Sequence, residues 1–259
     1  MTYRRLAILA AAVVASAAAL AAPAAPAAAA RKPPSAFVVV SRADPSILSD
    51  IRYATRHNFI GRPITGYLDP VCILTREAAT ALSAAQRAVL RLGYTLKVYD
   101  CYRPQRAVDD FVAWAEDLDD QAMKREFYPA IEKSVLFEEG YISARSGHSR
   151  GSTLDLTLVK LPPRPQPAYR PGQPLVPCTA PRAERFPDNT VDMGTGYDCF
   201  DPLANTLDPR VTGAPLANRL LLKDLMTDAG FTNYALEWWH YTLAGEPYPG
   251  TYFDFPVAR

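Results

Sequence analysis

The sequence predicts an α+β fold, two or three helices packed on one antiparallel sheet, and three observations carry that expectation. Thr153 to Val159 alternates, with Leu154, Leu156 and Leu158 on one face and Asp155 and Thr157 on the other. That is the pattern of a half-buried strand whose polar face looks into a cleft. Residues 75–92 and 104–118 instead carry apolar side chains at helical spacing. A third such stripe at 218–229 is followed by a returning strand, Phe231 to Leu243.

Residues 1–30 read as a targeting segment. Arg4 and Arg5 give a charged start, Leu6 to Leu20 an apolar run, and an Ala/Pro stretch ends near Ala30. The apolar run is short for a membrane span, so the layout is that of a signal peptide, with cleavage readable after Ala22 or Ala30. Residues 31–259 are then expected to form one exported domain, periplasmic or extracellular, with no stable membrane association. Without Arg4 and Arg5 the chain has 26 basic against 27 acidic side chains, a net charge near −1. Such a balance argues against nucleic acid or an acidic membrane surface as a partner. Four cysteines, Cys72, Cys101, Cys178 and Cys199, suggest two disulfides in an exported chain, and three pairings are open. No C-x-x-C pair occurs, which disfavours a metal role for them.

Phe37 to Val40 reads as a strand and Ile51-Arg52-Tyr53 as another. Asn58 to Tyr67, with Gly61, Pro63 and Gly66, is a loop, and His57 at its start reads as a surface or loop residue. Thr75 is a plausible N-cap for a helix to Leu92, with Ala78, Ala81, Leu82, Ala85, Val89 and Leu92 as its stripe and Gly93 as its end. Tyr94 to Tyr99 has strand character and delivers Asp100 to Pro104. Pro104 opens the second helix, with Val108, Phe111, Val112, Ala115 and Leu118 on its apolar face. Arg103 therefore falls at a strand-to-helix junction, where loops often carry function; its bland role is an ion pair with Asp100 or a helix acid. Residues 119–142 show no chemistry. Leu161 to Pro187 holds nine prolines and can be neither a regular helix nor a central strand. Cys178 near its far end is best paired with Cys199 across the Met193-Gly194-Thr195 turn, a loop of about 20 residues, which leaves Cys72 to Cys101. A segment so pinned and stiffened reads as a wall or lid beside a cleft. In the last helix Leu221, Leu225 and Met226 point inward and Gly230 ends it. Trp238 and Trp239 are expected in the core or a wall.

Two of only three histidines sit in the stretches Ser146-Gly147-His148-Ser149-Arg150-Gly151-Ser152-Thr153-Leu154-Asp155 and Glu237-Trp238-Trp239-His240. A zinc hydrolase needs three N or O ligands, an open position for water and a nearby base. His148, Asp155 and His240 could supply the ligands for one Zn²⁺ per chain, with Glu237 left over as the base. His148 and Asp155 are seven residues apart, an odd number, so a straight strand would point them to opposite faces. A break is required between them, and Gly147 and Gly151 supply the backbone freedom for one. Glu237 and His240 are also an odd number apart and need a bulge or a helical turn. Against this reading, no regular spacing such as H-E-x-x-H is present.

Ser-x-His-x-x-Gly-x-x-x-Asp followed far downstream by Glu-Trp-Trp-His resembles the D-alanyl-D-alanine metallopeptidases, which share their zinc-site architecture with lysostaphin-type enzymes and the hedgehog signalling domain. Arg52-Tyr53-Ala54-Thr55, Asn58-Phe59, Tyr99-Asp100-Cys101-Tyr102-Arg103-Pro104 and Asp192-Met193-Gly194-Thr195-Gly196-Tyr197-Asp198 are similar to the D-alanyl-D-alanine dipeptidase branch, which includes the vancomycin-resistance enzyme. The resemblance spans roughly residues 37–259. It implies that the sheet carries the metal on one face and that the substrate is a small free D,D-dipeptide from cell-wall precursors or turnover. It further implies that Arg103 stabilises the oxyanion, that Ser146 and Asp192 or Asp198 hold the substrate's ammonium, and that Tyr53 stands near the site. Two other readings are a D,D-carboxypeptidase or L-Ala-D-Glu endopeptidase of the same superfamily, and a zinc-stabilised binding domain without turnover. Glu237 beside Arg103 speaks against the last, since a structural site needs neither.

Overall fold

The computed structural model describes residues 33–259; the targeting segment lies outside the described residues. Among the described residues seven strands are present: β1 Phe37–Val39, β2 Leu48–Ser49, β3 Ile73–Thr75, β4 Tyr94–Asp100, β5 Thr153–Lys160, β6 Phe231–Asn233 and β7 His240–Leu243. The helices are α1 Val40–Ala43, α2 Arg76–Leu90, α3 Gln105–Glu116, α4 Lys124–Phe127 and α5 Gly213–Asp228. Strands β2-β4-β5-β7-β6 form one sheet and β1-β3 a second, two-stranded one. All pairings are antiparallel except the two-residue edge strand β2, which runs parallel to β4. The α+β expectation holds, with that small second sheet added.

Thr75 caps α2 by accepting the amide of Ala78, and a left-handed Gly93 turns the chain into β4. Leu82 and Val89 of α2 and Leu222 and Met226 of α5 are buried with Leu96, Val98, Leu154, Leu156 and Leu158 of the sheet. The inward residue of α5 is thus Leu222, whereas Leu221 is half-buried; Leu92 lies beyond the end of α2 and is exposed. Ile51-Arg52-Tyr53 is not a strand: Arg52–Ala54 is a single 3₁₀ turn. Residues 231–243 form two strands joined by turns rather than one.

Strand β5 is buried along both faces up to Val159, not half-buried. Lys97 pairs with Thr157, so Lys97 and Tyr99 share the polar face with Asp155 and Thr157. The Pro-rich segment covers that face beyond Asp155. Asp188 accepts from Lys97, from Tyr99 Oη at 2.5 Å and from Arg52 at 3.0 Å, and Gln166 bonds Asp50 and Lys97. His57 is buried in this layer, not exposed: its ring stacks on Tyr169 at 4.4 Å, and Nε2 lies 2.7 Å from Glu126. Cys72 is bonded to Cys101 and Cys178 to Cys199.

Candidate metal site and cleft

Asp155 on β5 stands directly opposite His240 on β7, and opposed residues project from the same face of a sheet. His148 reaches that face from a 3₁₀ turn, Gly147–Arg150, which Ser146 caps by accepting the amide of His148. Gly151 closes the turn at φ 83°, and a Cβ there would fall 2.2 Å from Phe37 Cε1. The seven-residue spacing is resolved by that glycine-dependent turn. For Glu237 and His240 the answer is neither a bulge nor a helical turn but two successive hydrogen-bonded turns: Glu237 N donates to Tyr234 O and His240 N to Glu237 O, while the Asn233 amide ties the carbonyls of Glu237 and His240.

His148 Nε2 lies 3.3 Å from Asp155 Oδ1 and 3.3 Å from His240 Nδ1, and the His240 Nδ1 to Asp155 Oδ1 distance is 3.2 Å. Three tetrahedral ligands at zinc-like bond lengths of about 2.0–2.1 Å sit about 3.3–3.4 Å apart. The triangle therefore has the size that a small divalent cation requires. Asp155 Oδ1 is buried and receives no hydrogen bond, a costly state that a bound cation relieves. Tyr197 Oη donates to the other oxygen, Oδ2, at 2.9 Å. His148 Nδ1 lies 2.7 Å from the carbonyl of Cys101, so it carries the proton and leaves the Nε2 lone pair facing the triangle. The donor set fits a metal, and among the described residues it is the group that could hold one.

Electrostatics agree. Burial opposes ionisation of Asp155, but the two imidazoles overcome it and hold the carboxyl well below the usual range. Burial likewise disfavours charge on His240, yet Asp155 and Glu237 together push it up to about 9. A cation entering the triangle replaces that proton. Glu237 stands beside the triangle, its Oε2 3.2 Å from His240 Nδ1. Arg103 Nη2 is 3.8 Å from Asp155 Oδ2, while Nε donates to Asp100 at 3.0 Å and the guanidinium covers the rings of Tyr53 and Phe111, each at 4.9 Å. Asp100 is thus its ion-pair partner, as the bland reading expects, but the pair faces the triangle.

These groups line a cleft of ≈ 300 Å³ that also includes Ser146, Tyr53 and Asp198. Tyr53 Oη donates to Asp198 Oδ2 at 2.8 Å. Burial and the nearby charge of Asp155 push the Asp198 carboxyl well up, and its backbone is left-handed at φ 56°, a strained position for a residue other than glycine. Asp192 lies elsewhere, outside the cleft: its Oδ1 is engaged by Arg185 and by the amide of Gly194 at 2.9 Å. Nor does the Pro-rich segment wall this cleft. It is held on the neighbouring ion network, and Gly140 to Gly147, Phe200 and Tyr234 form the rim instead. Asp100, Tyr197 and the Cys101 carbonyl act on the site without having been singled out from sequence. All three lie in stretches quoted for the resemblance, but only the position of Asp100 beside Arg103 pointed to a role; nothing local pairs a tyrosine with a carboxylate 42 residues away.

A buried His/Asp/His triangle with an adjacent carboxylate and guanidinium, on the face of an antiparallel sheet, is the apparatus of metal-dependent peptide hydrolysis. The family model described as Peptidase_M15, D-ala-D-ala dipeptidase, matches residues 35–162 and 184–258. The D-alanyl-D-alanine dipeptidase of Streptomyces coelicolor is 41% identical over 222 residues, covering 86% of this chain and 98% of the relative. That of Enterococcus faecalis is 38% identical over 209 residues (81% and 92%), and that of Escherichia coli 31% over 199 (77% and 80%). The chain belongs to the D-ala-D-ala dipeptidase family of peptidases.

Proposed function

We propose that this protein is an exported, zinc-dependent D-alanyl-D-alanine dipeptidase, made with a leader at 1–30 and acting as a single domain from 31 to 259. The observation that carries the metal reading is the 3.2–3.3 Å triangle that the two imidazoles make with the buried Asp155 Oδ1. The names of the relatives carry the substrate reading. Two disulfides support export, and no described helix is long and apolar enough to cross a membrane.

His148, Asp155 and His240 would hold the ion. When bound, zinc lowers the pKa of its water to about 7 and polarises the scissile carbonyl. Glu237 takes the proton of the attacking water and passes it to the leaving amine. Arg103, fixed by Asp100 and by two aromatic faces, donates to the oxyanion developing on the carbonyl, a contribution of about 3–4 kcal/mol. Asp198, with Tyr53 behind it, pairs with the substrate ammonium, and Ser146 contributes a polar contact beside it. Asp192, outside the cleft, takes no part.

Metal content tests the assignment. The purified protein should carry one zinc per chain, and His148→Ala or His240→Ala should lose it. Retention of full metal by both variants would remove these ligands from the account.

A further inference from the structure

The loop that carries Arg103 is tied down in an unusual way. The β4–β5 ladder slips register between Val98 and Asp100, and residues 101–104 then leave the sheet without regular structure. Yet this short run meets the site repeatedly. The Cys101 carbonyl accepts from His148 Nδ1 at 2.7 Å, Asp100 Oδ2 lies 3.4 Å from the same nitrogen, and Arg103 N donates to the His148 carbonyl at 3.3 Å. Ladder bonds do not hold the run in place. It is fastened to the start of β3 by the Cys72–Cys101 disulfide and by Tyr102 N donating to Ile73 O at 2.9 Å. Strand β3 is in turn bonded to the His148 turn, Thr75 N donating to Gly151 O at 2.8 Å. One closed circuit thus joins disulfide, metal ligand and Arg103.

We propose that the Cys72–Cys101 disulfide is a positioning element of the metal site, setting the ring orientation of His148 through the Cys101 carbonyl and the placement of Arg103 through the same loop. The inference rests on the zinc reading above. Partners that orient a ligating histidine typically change metal affinity by about 10–100-fold, and a loop freed at Cys101 gives up that orientation. The Asp198 carboxylate takes its hydrogen bond from Tyr53 rather than from this loop, so binding of the substrate ammonium depends on the circuit less than the metal does.

The test compares Cys72→Ala/Cys101→Ala, and the better-filled Cys72→Ala/Cys101→Val, with Leu82→Ala, which weakens the core without touching the circuit. Zinc dissociation constants are measured by chelator competition, and kcat and KM on D-Ala-D-Ala, at a temperature where circular dichroism shows each variant folded. Both disulfide variants should bind zinc about 10–100-fold more weakly. At saturating zinc they should lose kcat, with KM changed less than about threefold, as expected when transition-state contacts are lost. Leu82→Ala should keep wild-type values of all three. Wild-type zinc affinity in a folded disulfide variant would overturn the proposal, as would an equal loss in Leu82→Ala. Failure of both disulfide variants to fold even with zinc would also overturn it, because the bond would then be a requirement of the fold as a whole. Absence of zinc from the wild-type protein would instead overturn the underlying metal reading.

Discussion

Glu237 and His57 show how differently two titratable residues in one chain are used. Glu237 is 17% exposed in its side chain and sits beside the triangle, not within it. A base at that position acts only during turnover, so Glu237→Ala should fold and bind zinc like wild type while kcat falls by about three or more orders of magnitude. Metal analysis alongside steady-state kinetics checks this, and loss of zinc would make Glu237 a ligand. His57 is buried between Tyr169, Phe186 and Phe127, with Arg52 on one nitrogen and Glu126 on the other. Burial and the Arg52 charge hold its imidazole below the ordinary value, against the pull of Glu126. The unfolded chain therefore binds this proton first as pH falls, so His57 supports the fold fully above about pH 6.5 and progressively less below it. Denaturant titrations from pH 7.5 to 5 should show a shallower loss of stability in His57→Gln than in wild type, with zinc content unchanged. Equal slopes would contradict this role. The sequence placed His57 outside the catalytic set, but its burial was illegible, because Tyr169 and Phe186 reach it from a segment more than 100 residues away.

At the level of elements, the odd spacings were the most informative feature of the sequence. They demanded a break before Asp155 and a turn before His240, and the structure meets them with the Gly147–Arg150 turn and the bonded turns from Tyr234 to His240. Gly151 bears the strictest demand, since its φ is positive and Phe37 fills the space a side chain would need. Gly151→Ala should cost roughly 2–5 kcal/mol, combining left-handed strain with overpacking. It should also lower zinc affinity, because the His148 turn cannot close. Thermal melts and chelator competition read the two effects separately, and a variant with wild-type stability would show that Phe37 gives way. The alternation in β5 was legible, but its double burial was not. Alternation reports the polarity of a face, and a polar face can be covered by charges that satisfy it, as Lys97, Asp188 and Arg52 do here.

Across the whole molecule, the family match breaks at residues 163–183, within the Pro-rich segment. Composition identified that segment as irregular, yet its docking place depended on partners no local pattern reveals: Asp50 and Lys97 for Gln166, His57 for Tyr169, and Cys199 for Cys178. It covers the same sheet face beyond the site and leaves the cleft to be shaped by residues 140–147 and 234–240. A cleft in which Asp198 pairs with the substrate ammonium disfavours a peptide lacking that charge, since an unpaired buried charge costs several kcal/mol. The most direct measurement is D-alanine release from D-Ala-D-Ala by purified zinc-loaded protein, run beside N-acetyl-D-Ala-D-Ala and beside chelated protein. Rapid release from the free dipeptide, little from the acetylated one, and none after chelation until zinc is restored is the expected result. Turnover that survives chelation, or equal cleavage of the acetylated peptide, would contradict the account.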